Sequence, residues 1–429
     1  MVASRIGNPN DHGASVLSTS FLNPRHPWQG RRVVLGVTGS IAAYKAVALA
    51  RLLTSLGAEV DAVLTHGASR FVSPLSFEGV TGRSSSTELF SVENSALHIS
   101  LGLEADVVCV APATADFISR ASLGRANDLL TTTLLATRAP VVICPAMNTN
   151  MYTHPQTQTN LKHLIDHLSY RVAGPGVGAL AYGENHGLGR MLAPEEIIEE
   201  VGKALVGPSL LTNKKVLVTA GPTEESIDPV RFVSNRSSGR MGFAIAQAAY
   251  RLGASVRLIS GPVALPDPYG IELVKVHTAQ EMLVSVSDYR PKADVSVFAA
   301  AVSDYRPKNI ESRKMKRSKG NEAPVLDLMA NPDVVLDTLG NRKEKSINVG
   351  FALETESILE NAQEKLERKQ FDFLVANSAT ETDAGFDVET NRVALLFAGG
   401  RCEELPLMTK HDVSEVILSH ILELLENRL

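Results

Sequence analysis

An amide and an imidazole are the first side chains of this sequence that could do chemistry. Val141–Cys144 is an apolar run of strand length, and after Pro145 a loop of small residues carries Asn148. Ligands of open α/β sheets bind beyond the carboxyl ends of the strands, where an asparagine offers an acceptor and two donors without charge. It also commonly caps the next helix. His98 could carry protons near neutral pH, although an isolated histidine is more often structural.

Neutral hydroxyl groups follow the predicted strands of the same half of the chain. They belong to Thr38, Ser40, Thr65 and Thr114. Together they would line a crevice that suits a phosphate and a ribityl chain. Each of them taken alone is more simply explained as a helix cap.

The second half contains a different set of polar groups. Residues 219 to 242 form a loop too long for a simple turn, and Ser237, Ser238 and Gly239 offer N–H and hydroxyl groups to a phosphate before a helix. A flexible surface loop would not explain its Pro-Val-Arg-Phe-Val run. The basic run Arg313–Lys319 is either a solvated face or a clamp for a triphosphate and its leaving pyrophosphate. Lys365 and Lys369 are four residues apart in a helical pattern, so both can face one anion.

The elements that must position these groups begin alike in both halves. The run Arg31–Gly36 leads into a glycine turn, a helical pattern over Ile41–Leu53 and a second strand, Glu59–Thr65. The strand pattern restarts at Lys215–Ala220 and continues, after a helical segment, at Ser255–Ser260. Both are βαβ openings that admit a phosphate. Neither has the GxGxxG motif or the acidic residue of a conventional NAD site, which favours another nucleotide.

Composition places the chain among ordinary globular proteins. Its 429 residues predict two or three domains, and 44% hydrophobic residues suffice for large cores. A net charge of -5 makes no case for nucleic acid or membrane binding. The three cysteines are far apart, which predicts a reducing, cytoplasmic location. No apolar run approaches the ~20 residues that span a bilayer.

The same patterns predict the domain boundaries. Residues 1 to 30 are polar and lack an apolar signal segment, so we expect a disordered leader. A first domain is expected at 31–201 and a second at 214–429. Gly207-Pro208 interrupts the pattern between them and predicts a linker at 202–213.

The first half resembles the homo-oligomeric flavin-containing cysteine decarboxylases. The resemblance rests on segments 34–45, 73–77, 98–101, 111–116, 126–129 and 145–151. It implies FMN, oxidative decarboxylation of a cysteinyl substrate, and a flavodoxin-like domain that trimerises with sites between subunits. It makes His98 and Asn148 the essential pair, with Asn148 on the substrate carboxylate. By position it assigns FMN contacts to Gly39, Ser40, Thr65, Thr114 and Met147, and further substrate contacts to Met151, Arg190 and Met191.

One position departs from the decarboxylase pattern. The segment 180–191 resembles the family's substrate clamp, but Tyr182 stands where a cysteine is usual, and the segment is a residue longer around His186. The family's cysteine serves in the final reduction of an enethiol. A tyrosine with a pKa of about 10 is a poorer acid than a thiol of about 8.5. Decarboxylation with a slow, absent or differently served reduction is therefore an alternative.

The second half resembles phosphopantothenate–cysteine ligases, in the decarboxylase-first order of the bacterial bifunctional enzymes of coenzyme A biosynthesis. That resemblance implies CTP, an acyl-cytidylate in contact with Asn235, and Mg²⁺ held through the CTP phosphates. It assigns CTP to Ser237, Ser238, Gly239, Asp304, Lys314, Asn331, Pro332, Asp333, Val334, Phe351, Lys365 and Lys369, with Lys314 and Asn235 also catalytic.

Together the two resemblances predict an α/β protein with two Rossmann-like three-layer αβα domains. The N-terminal domain would be flavodoxin-like with a parallel sheet, and the ligase domain would resemble a dinucleotide fold. Trimeric decarboxylase halves and dimeric ligase halves would make a homo-oligomer, and the combination suggests a dodecamer. The small-molecule substrates would be 4'-phosphopantothenate, cysteine and CTP. A regulatory, phosphatase-binding flavodomain is the alternative from another class, but such proteins usually carry acidic tails and none is seen here.

Overall fold

The computed structural model describes residues 27–90, 96–183, 186–316, 325–354, 358–378 and 390–428. The strands of the first half are β1 Arg32–Val37, β2 Glu59–Leu64, β3 Val107–Ala113, β4 Val141–Pro145, β5 Arg171–Val172, β6 Gly176–Ala179 and β7 His186–Arg190. Its helices are α1 Ala43–Ser55, α2 Pro74–Thr81, α3 Leu97–Glu104, α4 Ala115–Ser122, α5 Leu129–Ala136, α6 Thr149–Thr153, α7 Pro155–Asp166 and α8 Pro194–Val206.

The second half contains the remaining elements. Its strands are β8 Lys215–Ala220, β9 Glu224–Ser226, β10 Phe232–Ser234, β11 Ser255–Ser260, β12 Glu272–Lys275, β13 Val295–Phe298, β14 Tyr305–Pro307, β15 Leu328–Ala330, β16 Ile347–Glu354, β17 Phe373–Ser378, β18 Thr390–Asn391, β19 Val393–Phe397, β20 Cys402–Glu404 and β21 Met408–Thr409. Its helices are α9 Arg240–Arg251, α10 Ala279–Tyr289, α11 Ile358–Arg368 and α12 Lys410–Glu426.

The first sheet is parallel, with strand order β2-β1-β3-β4-β5. All seven residues of β3 are buried, as expected for a strand with helices on both faces. Separate apolar clusters cover the two faces of the sheet. This is the flavodoxin-like order, whose ligand crevice lies where β1 and β3 diverge. The predicted parallel, three-layer first domain is confirmed.

The second sheet runs β12-β11-β8-β13-β16-β17-β19-β20. Its first six strands are parallel, and β19 and β20 add an antiparallel edge. Counted within this domain, the parallel strands have the 3-2-1-4-5-6 order of dinucleotide-binding folds, whose crevice opens between β8 and β13. The prediction for the second domain is therefore also confirmed. The long loop after β8 contains the antiparallel hairpin β9–β10.

The prediction that residues 1 to 30 are a disordered leader is wrong for the last four of them, 27–30. Trp28 is only 4% exposed, and its indole N–H donates to the carbonyl of Ile198 at 3.2 Å. Its ring also contacts the guanidinium of Arg251, with 5.1 Å between the two centres. Residues 27–30 are therefore part of the folded protein, because a large aromatic side chain is buried there. The rest of the leader prediction, 1–26, lies outside the described residues.

Helix α8 crosses the start of the predicted linker. Ile197, Val201 and Ala204 are buried at helical spacing, so the apolar stripe continues and residues 202–206 are helical. Gly202 allows this packing, because a Cβ there would lie 2.7 Å from the ring of Trp28 and 2.8 Å from Arg251. Only residues 207–213 connect the helix to β8.

A buried ionic contact joins the two halves. Arg251 at the end of α9 donates to Glu199 of α8 at 2.8 Å and to Glu415 of α12 at 2.6 Å. The arginine is 2% exposed. Burial raises the pKa of Glu199, while the charge of Arg251 opposes that shift. The described helices include none that is long and apolar enough to cross a lipid bilayer.

Candidate functional site

The first candidate site lies where β1 and β3 diverge. Thr38, just after β1, donates its hydroxyl to the carbonyl of Pro112 at 2.8 Å and accepts the N–H of Thr114 at 3.1 Å. This 1%-exposed side chain ties the two strand exits together. The predicted FMN contact Thr114 is consequently held at the edge of the crevice, although its own hydroxyl accepts from Phe117 N–H and caps α4.

The turns after β1 and β2 pack directly on each other. A Cβ on Gly39 would lie 3.0 Å from the backbone of Gly67, so this approach requires glycine. Ser40 accepts the N–H of Ala42, and Thr65 accepts that of Ala68. The hydroxyls predicted to contact FMN thus lie at strand exits, and in this structure each also satisfies a local backbone donor.

Asn148 caps a helix in this structure. Its Oδ1 accepts the N–H groups of Asn150 at 2.8 Å and Met151 at 3.4 Å, so it begins α6. The Nδ2 group has no hydrogen bond to any described residue. The backbone N–H of the neighbouring Met147 donates to the carbonyl of Gly189 at 3.0 Å. The loop that carries Asn148 is therefore fixed against β7.

The clamp hairpin places its predicted substrate residues differently. Arg190 is exposed at the end of β7, whereas Met191 is 1% exposed in the core. The side chain of Met191 belongs to a buried apolar cluster of the first half, and its substrate contact stays a prediction. Met151 is 49% exposed, and Tyr182 between β6 and β7 is fully exposed. Residues 184–185 of this clamp lie outside the described residues.

A second cation near Arg190 was not anticipated. The pKa of Lys45 in α1 is lowered, first by burial and then by the charge of Arg190. Glu195 and Glu196 act in the opposite direction, so Lys45 and Arg190 belong to a mixed group of charges. Nothing in the sequence singles out Lys45, because a lysine inside an amphipathic helix is usually a solvated side chain.

His98 near the start of α3 has an unsatisfied ring nitrogen. Its Nδ1 is buried and has no hydrogen-bond partner among the described residues. Buried polar atoms are normally paired, so a ligand or partner group would complete this position. The structure shows no contact between His98 and Asn148. The two lie on separate elements, α3 and the β4–α6 loop.

The second candidate site is a cavity of about 270 Å³ at the β8/β13 crevice. Eight residues predicted to bind CTP line it together: Asp304, Asn331, Pro332, Asp333, Val334, Phe351, Lys365 and Lys369. Thr219, Met282, Phe298 and Phe371 complete much of the remaining wall. Both apolar surface and charged groups therefore meet at the ligand position that this strand order predicts.

Hydrogen bonds fix the wall formed by residues 331–335. Asn331 donates to the carbonyl of Ser303 at 2.8 Å and accepts from Arg306 at 2.9 Å. Asp333 pairs with Lys369 at 2.8 Å. Burial opposes ionisation of Asp333, but Lys369 and two backbone N–H groups outweigh it, and the pKa is lowered. The amide and carboxylate therefore occupy defined positions in the wall.

The predicted phosphate loop lies beside this cavity rather than in its wall. Gly239 has a φ of 73° and precedes α9, with Ser237 and Ser238 before it. Asn235 donates to the carbonyls of Ala301 at 3.1 Å and Val302 at 3.2 Å. Since Val302 lines the cavity, Asn235 joins the phosphate loop to the cavity.

Lys314 is not among the residues that line the cavity. It is exposed and follows the β14 strand. The next residue is anchored, because Met315 donates its N–H to Asp228 at 3.1 Å and accepts from Arg231 at 3.1 Å. The rest of the predicted basic clamp, from Arg317 to Lys319, lies outside the described residues. A role for Lys314 on CTP therefore stays a prediction.

Comparison with known proteins identifies both halves. A family model described as "Flavoprotein" matches residues 22–206, and "DNA/pantothenate metabolism flavoprotein C-terminal domain" matches residues 211–425. The curated "Coenzyme A biosynthesis bifunctional protein CoaBC" of Vibrio cholerae is 42% identical, covering 92% of this chain and 98% of the relative. Its counterpart from Bacillus subtilis is 43% identical, covering 91% and 96% respectively.

The corresponding protein of Escherichia coli is 40% identical over 91% of this chain and 97% of its own length. A solved structure of the C-terminal domain of a CoaBC protein is 41% identical. The match covers 51% of this chain and 99% of the chain in that structure, with a TM-score of 0.44. The sequence matches extend through both sheets and the helix between them.

Proposed function

The chain belongs to the CoaBC family of bifunctional coenzyme A biosynthesis proteins, and we propose how its two sites divide the work. It is an enzyme with decarboxylase and ligase activities. The C-terminal half joins 4'-phosphopantothenate to cysteine at the expense of CTP. The N-terminal half, with FMN, decarboxylates the resulting 4'-phosphopantothenoylcysteine to 4'-phosphopantetheine. The observation that supports this division most strongly is the assembly of eight predicted CTP residues around one cavity.

The ligase proposal requires two displacements. A carboxylate oxygen of phosphopantothenate attacks the α-phosphorus of CTP, and pyrophosphate leaves. The amine of cysteine then attacks the acyl carbon of the acyl-cytidylate, loses a proton and releases CMP. Asp304 is proposed to recognise the cytosine, and Lys365 and Lys369 to hold the phosphates. The phosphate loop with Asn235 contacts the intermediate.

A magnesium ion would act through the CTP phosphates in this scheme. The described residues contain no group of three or more His, Cys, Asp or Glu side chains able to hold a metal ion. Mg²⁺ usually keeps several waters and binds phosphates with few protein ligands, so bridging by CTP is the simplest arrangement. Lys314, within the basic run, would stabilise the charge on the leaving pyrophosphate.

The decarboxylase half fits a bound FMN in three respects. The turns at Gly39 and Gly67 pack too closely at the β1 exit for a side chain on Gly39, and both glycines are half-buried there. Lys45 and Arg190 supply neighbouring cations, and the Nδ1 atom of His98 is buried without a partner. FMN would supply the oxidation of the substrate thiol that makes loss of CO2 possible. Asn148 would donate its Nδ2 hydrogens to the substrate carboxylate, and His98 would position the substrate and assist proton movement.

An incomplete decarboxylase is the second candidate, and Tyr182 favours it. This tyrosine occupies the clamp position where the resembling family usually has cysteine, and its side chain is fully exposed. With a poor acid at that position, the enethiol would be released and the two electrons would remain on FMN, to be taken up by dissolved O2 before the next turnover, unless Tyr182, His186 or another group completes the reduction.

The oligomer is also a proposal. Trimeric decarboxylase halves and dimeric ligase halves would combine into a dodecamer. Large apolar side chains of the first half support further association: Leu75 is 72% exposed, Ile41 and Tyr44 are each 64% exposed, and Phe90 is 80% exposed. Apolar side chains with this exposure mark an interface where they form one contiguous patch. The cytoplasmic location stays a prediction.

One reaction mixture tests the proposal. The full chain with added FMN is supplied with phosphopantothenate, cysteine and Mg-CTP, and pyrophosphate, CO2 and product mass are measured. We expect pyrophosphate and CO2 in equal amounts and a mass that is either phosphopantetheine or its enethiol, which separates the two candidates. Failure to form pyrophosphate would refute the ligase assignment. Failure to release CO2 from added phosphopantothenoylcysteine would refute the decarboxylase assignment.

A further inference from the structure

A buried arginine lies directly behind the nucleotide cavity. Arg290 is 0% exposed and is the largest fully buried side chain in the described part of the chain. Its guanidinium carbon lies 4.9 Å from the ring centre of Phe298, and Nη1 lies 2.7 Å from the carbonyl oxygen of Val335. Phe298 and Val335 both line the cavity. One layer of protein therefore separates this cation from the ligand position.

The partners of Arg290 are all neutral. Nη1 donates to the Val335 carbonyl and the Thr338 hydroxyl, and Nη2 donates to Oδ1 of Asn348 at 3.2 Å. The Nε atom is buried without a partner, and no described carboxylate forms an ion pair with this side chain. Burial and the charge of Arg342 lower the pKa of Arg290 to about 10. The side chain thus remains a cation at neutral pH.

Lys369, another cation of the cavity, differs from Arg290 in one respect. Lys369 is paired with Asp333 at 2.8 Å, so much of its charge is already balanced within the wall. A buried cation without a counter-ion is unfavourable. An apolar side chain would fill the same space without that cost. The presence of an arginine here is explained if an anion in the cavity balances it.

We propose that Arg290 is a positioning residue of the nucleotide site, which holds the 331–335 wall from behind and supplies an unbalanced positive charge that favours polyanionic nucleotides. This inference rests on the proposed binding of CTP in the same cavity. The hydrogen bonds to Val335 and Thr338 fix the wall. The charge acts through Phe298 and Val335, where little water screens it.

The charge effect must grow with the number of phosphates on the ligand. A unit charge acting over about 10 Å at an effective dielectric constant near 20 changes the affinity for a monovalent anion by roughly tenfold. In the Arg290→Met variant, we expect CTP without Mg²⁺, with a charge of about -4, to bind about 10-fold or more weakly, and CMP, with a charge of about -2, to be less severely affected. Cytidine, which is uncharged, should bind within about 2-fold of wild type. Calorimetric titration of the full chain with each ligand measures these ratios.

Asn348→Asp provides a second variant that keeps the arginine. Its new carboxylate would lie where Oδ1 already accepts from Arg290, so the positive charge would be balanced while the tie to Val335 remains. We expect the same selective loss of CTP affinity. Thr338→Val is the comparison variant, because it removes the hydroxyl that bonds Arg290 and the carbonyl of Val334 but leaves the charge. Any loss of affinity from the loosened wall should then be the same, within about 2-fold, for CTP and for cytidine.

The outcomes separate this inference from the proposed function. If wild type binds CTP, but Arg290→Met and Asn348→Asp change CTP and cytidine affinity by equal factors or not at all, the charge role is wrong. If Arg290→Met does not fold, Asn348→Asp decides the question by the same ratio. If wild type itself binds no CTP, the proposed nucleotide site falls and this inference falls with it.

Discussion

Asn148 has two roles to separate, as a helix cap and as a proposed carboxylate ligand. Its Oδ1 accepts two backbone N–H groups at the start of α6, whereas the proposed catalytic contact uses Nδ2. Replacement by aspartate keeps an acceptor oxygen for the cap. It removes the amide donors and adds a negative charge where the substrate carboxylate is proposed to bind. Asn148→Asp should therefore damage decarboxylation without damaging the fold.

The structure sets the expected magnitudes. Aspartate and asparagine cap helices about equally well, so we expect a stability change within about 0.5 kcal/mol for Asn148→Asp. Asn148→Ala loses the cap and should cost about 1 kcal/mol. Losing a hydrogen bond to a charged group costs about 1.5–3 kcal/mol, and the new repulsion between carboxylates adds to this. Together these terms predict a decrease in decarboxylation on the order of 10²–10³-fold.

The second activity of the chain serves as an internal control. CO2 release from phosphopantothenoylcysteine and pyrophosphate release from CTP are measured on one preparation of Asn148→Asp, together with its melting temperature. We expect only CO2 release to fall. If the Asn148→Asp variant released CO2 at the wild-type rate, the proposed amide contact would be refuted. A joint loss of both activities with a lower melting temperature would show that the cap, rather than the donor, matters.

Three further changes test other parts of the molecule. Lys314→Gln should slow pyrophosphate release by about 10²-fold, because the leaving group loses a charge partner, while Lys308→Gln, exposed and outside the basic run, should leave that rate unchanged. Equal rates in both variants would exclude Lys314. Tyr182→Cys should raise the fraction of fully reduced amine product, and an unchanged ratio by mass spectrometry would remove Tyr182 from the reduction step. Arg251→Met should lower the free energy of unfolding, measured in urea, by about 3–5 kcal/mol, because it leaves Glu199 and Glu415 unpaired. The solvent-screened ion pair of Arg257 with Glu272 should contribute less than about 1 kcal/mol, and similar losses from the two pairs would contradict the role given to the buried contact.

The sequence was informative wherever apolar runs belong to parallel strands. Lys215–Ala220 and Ser255–Ser260 have the predicted bounds, because such strands are buried on both faces and end sharply in small or polar residues. Contacts distant in the chain were not predictable in the same way. Trp28 belongs to the folded part only because Gly202 and Arg251 make room for it. The hairpin β9–β10 inside the long loop likewise depends on pairing that no periodicity in three-residue strands can reveal.

The two candidate sites differed in how far sequence reasoning reached. The helical spacing predicted that Lys365 and Lys369 share one face, but only the resemblance to the ligases assigned them and the loop 331–334 to the same nucleotide. The structure brings them to one cavity. Arg290 could not be found, since its neighbours Pro291 and Lys292 make the segment resemble an exposed basic turn. Its burial depends on Thr338 and Asn348, which approach from about fifty residues farther along the chain.

Helix α9 shows how the two halves share one structural element. At its N-terminus, Gly239 adopts a positive φ beside Gly221, and a Cβ on Gly239 would lie 2.7 Å from Val263. At its C-terminus, Arg251 is enclosed by carboxylates from α8 and α12. A helix of twelve residues is about 18 Å long, so the buried contact between the two halves lies about that far from the predicted phosphate loop, at the opposite end of one helix.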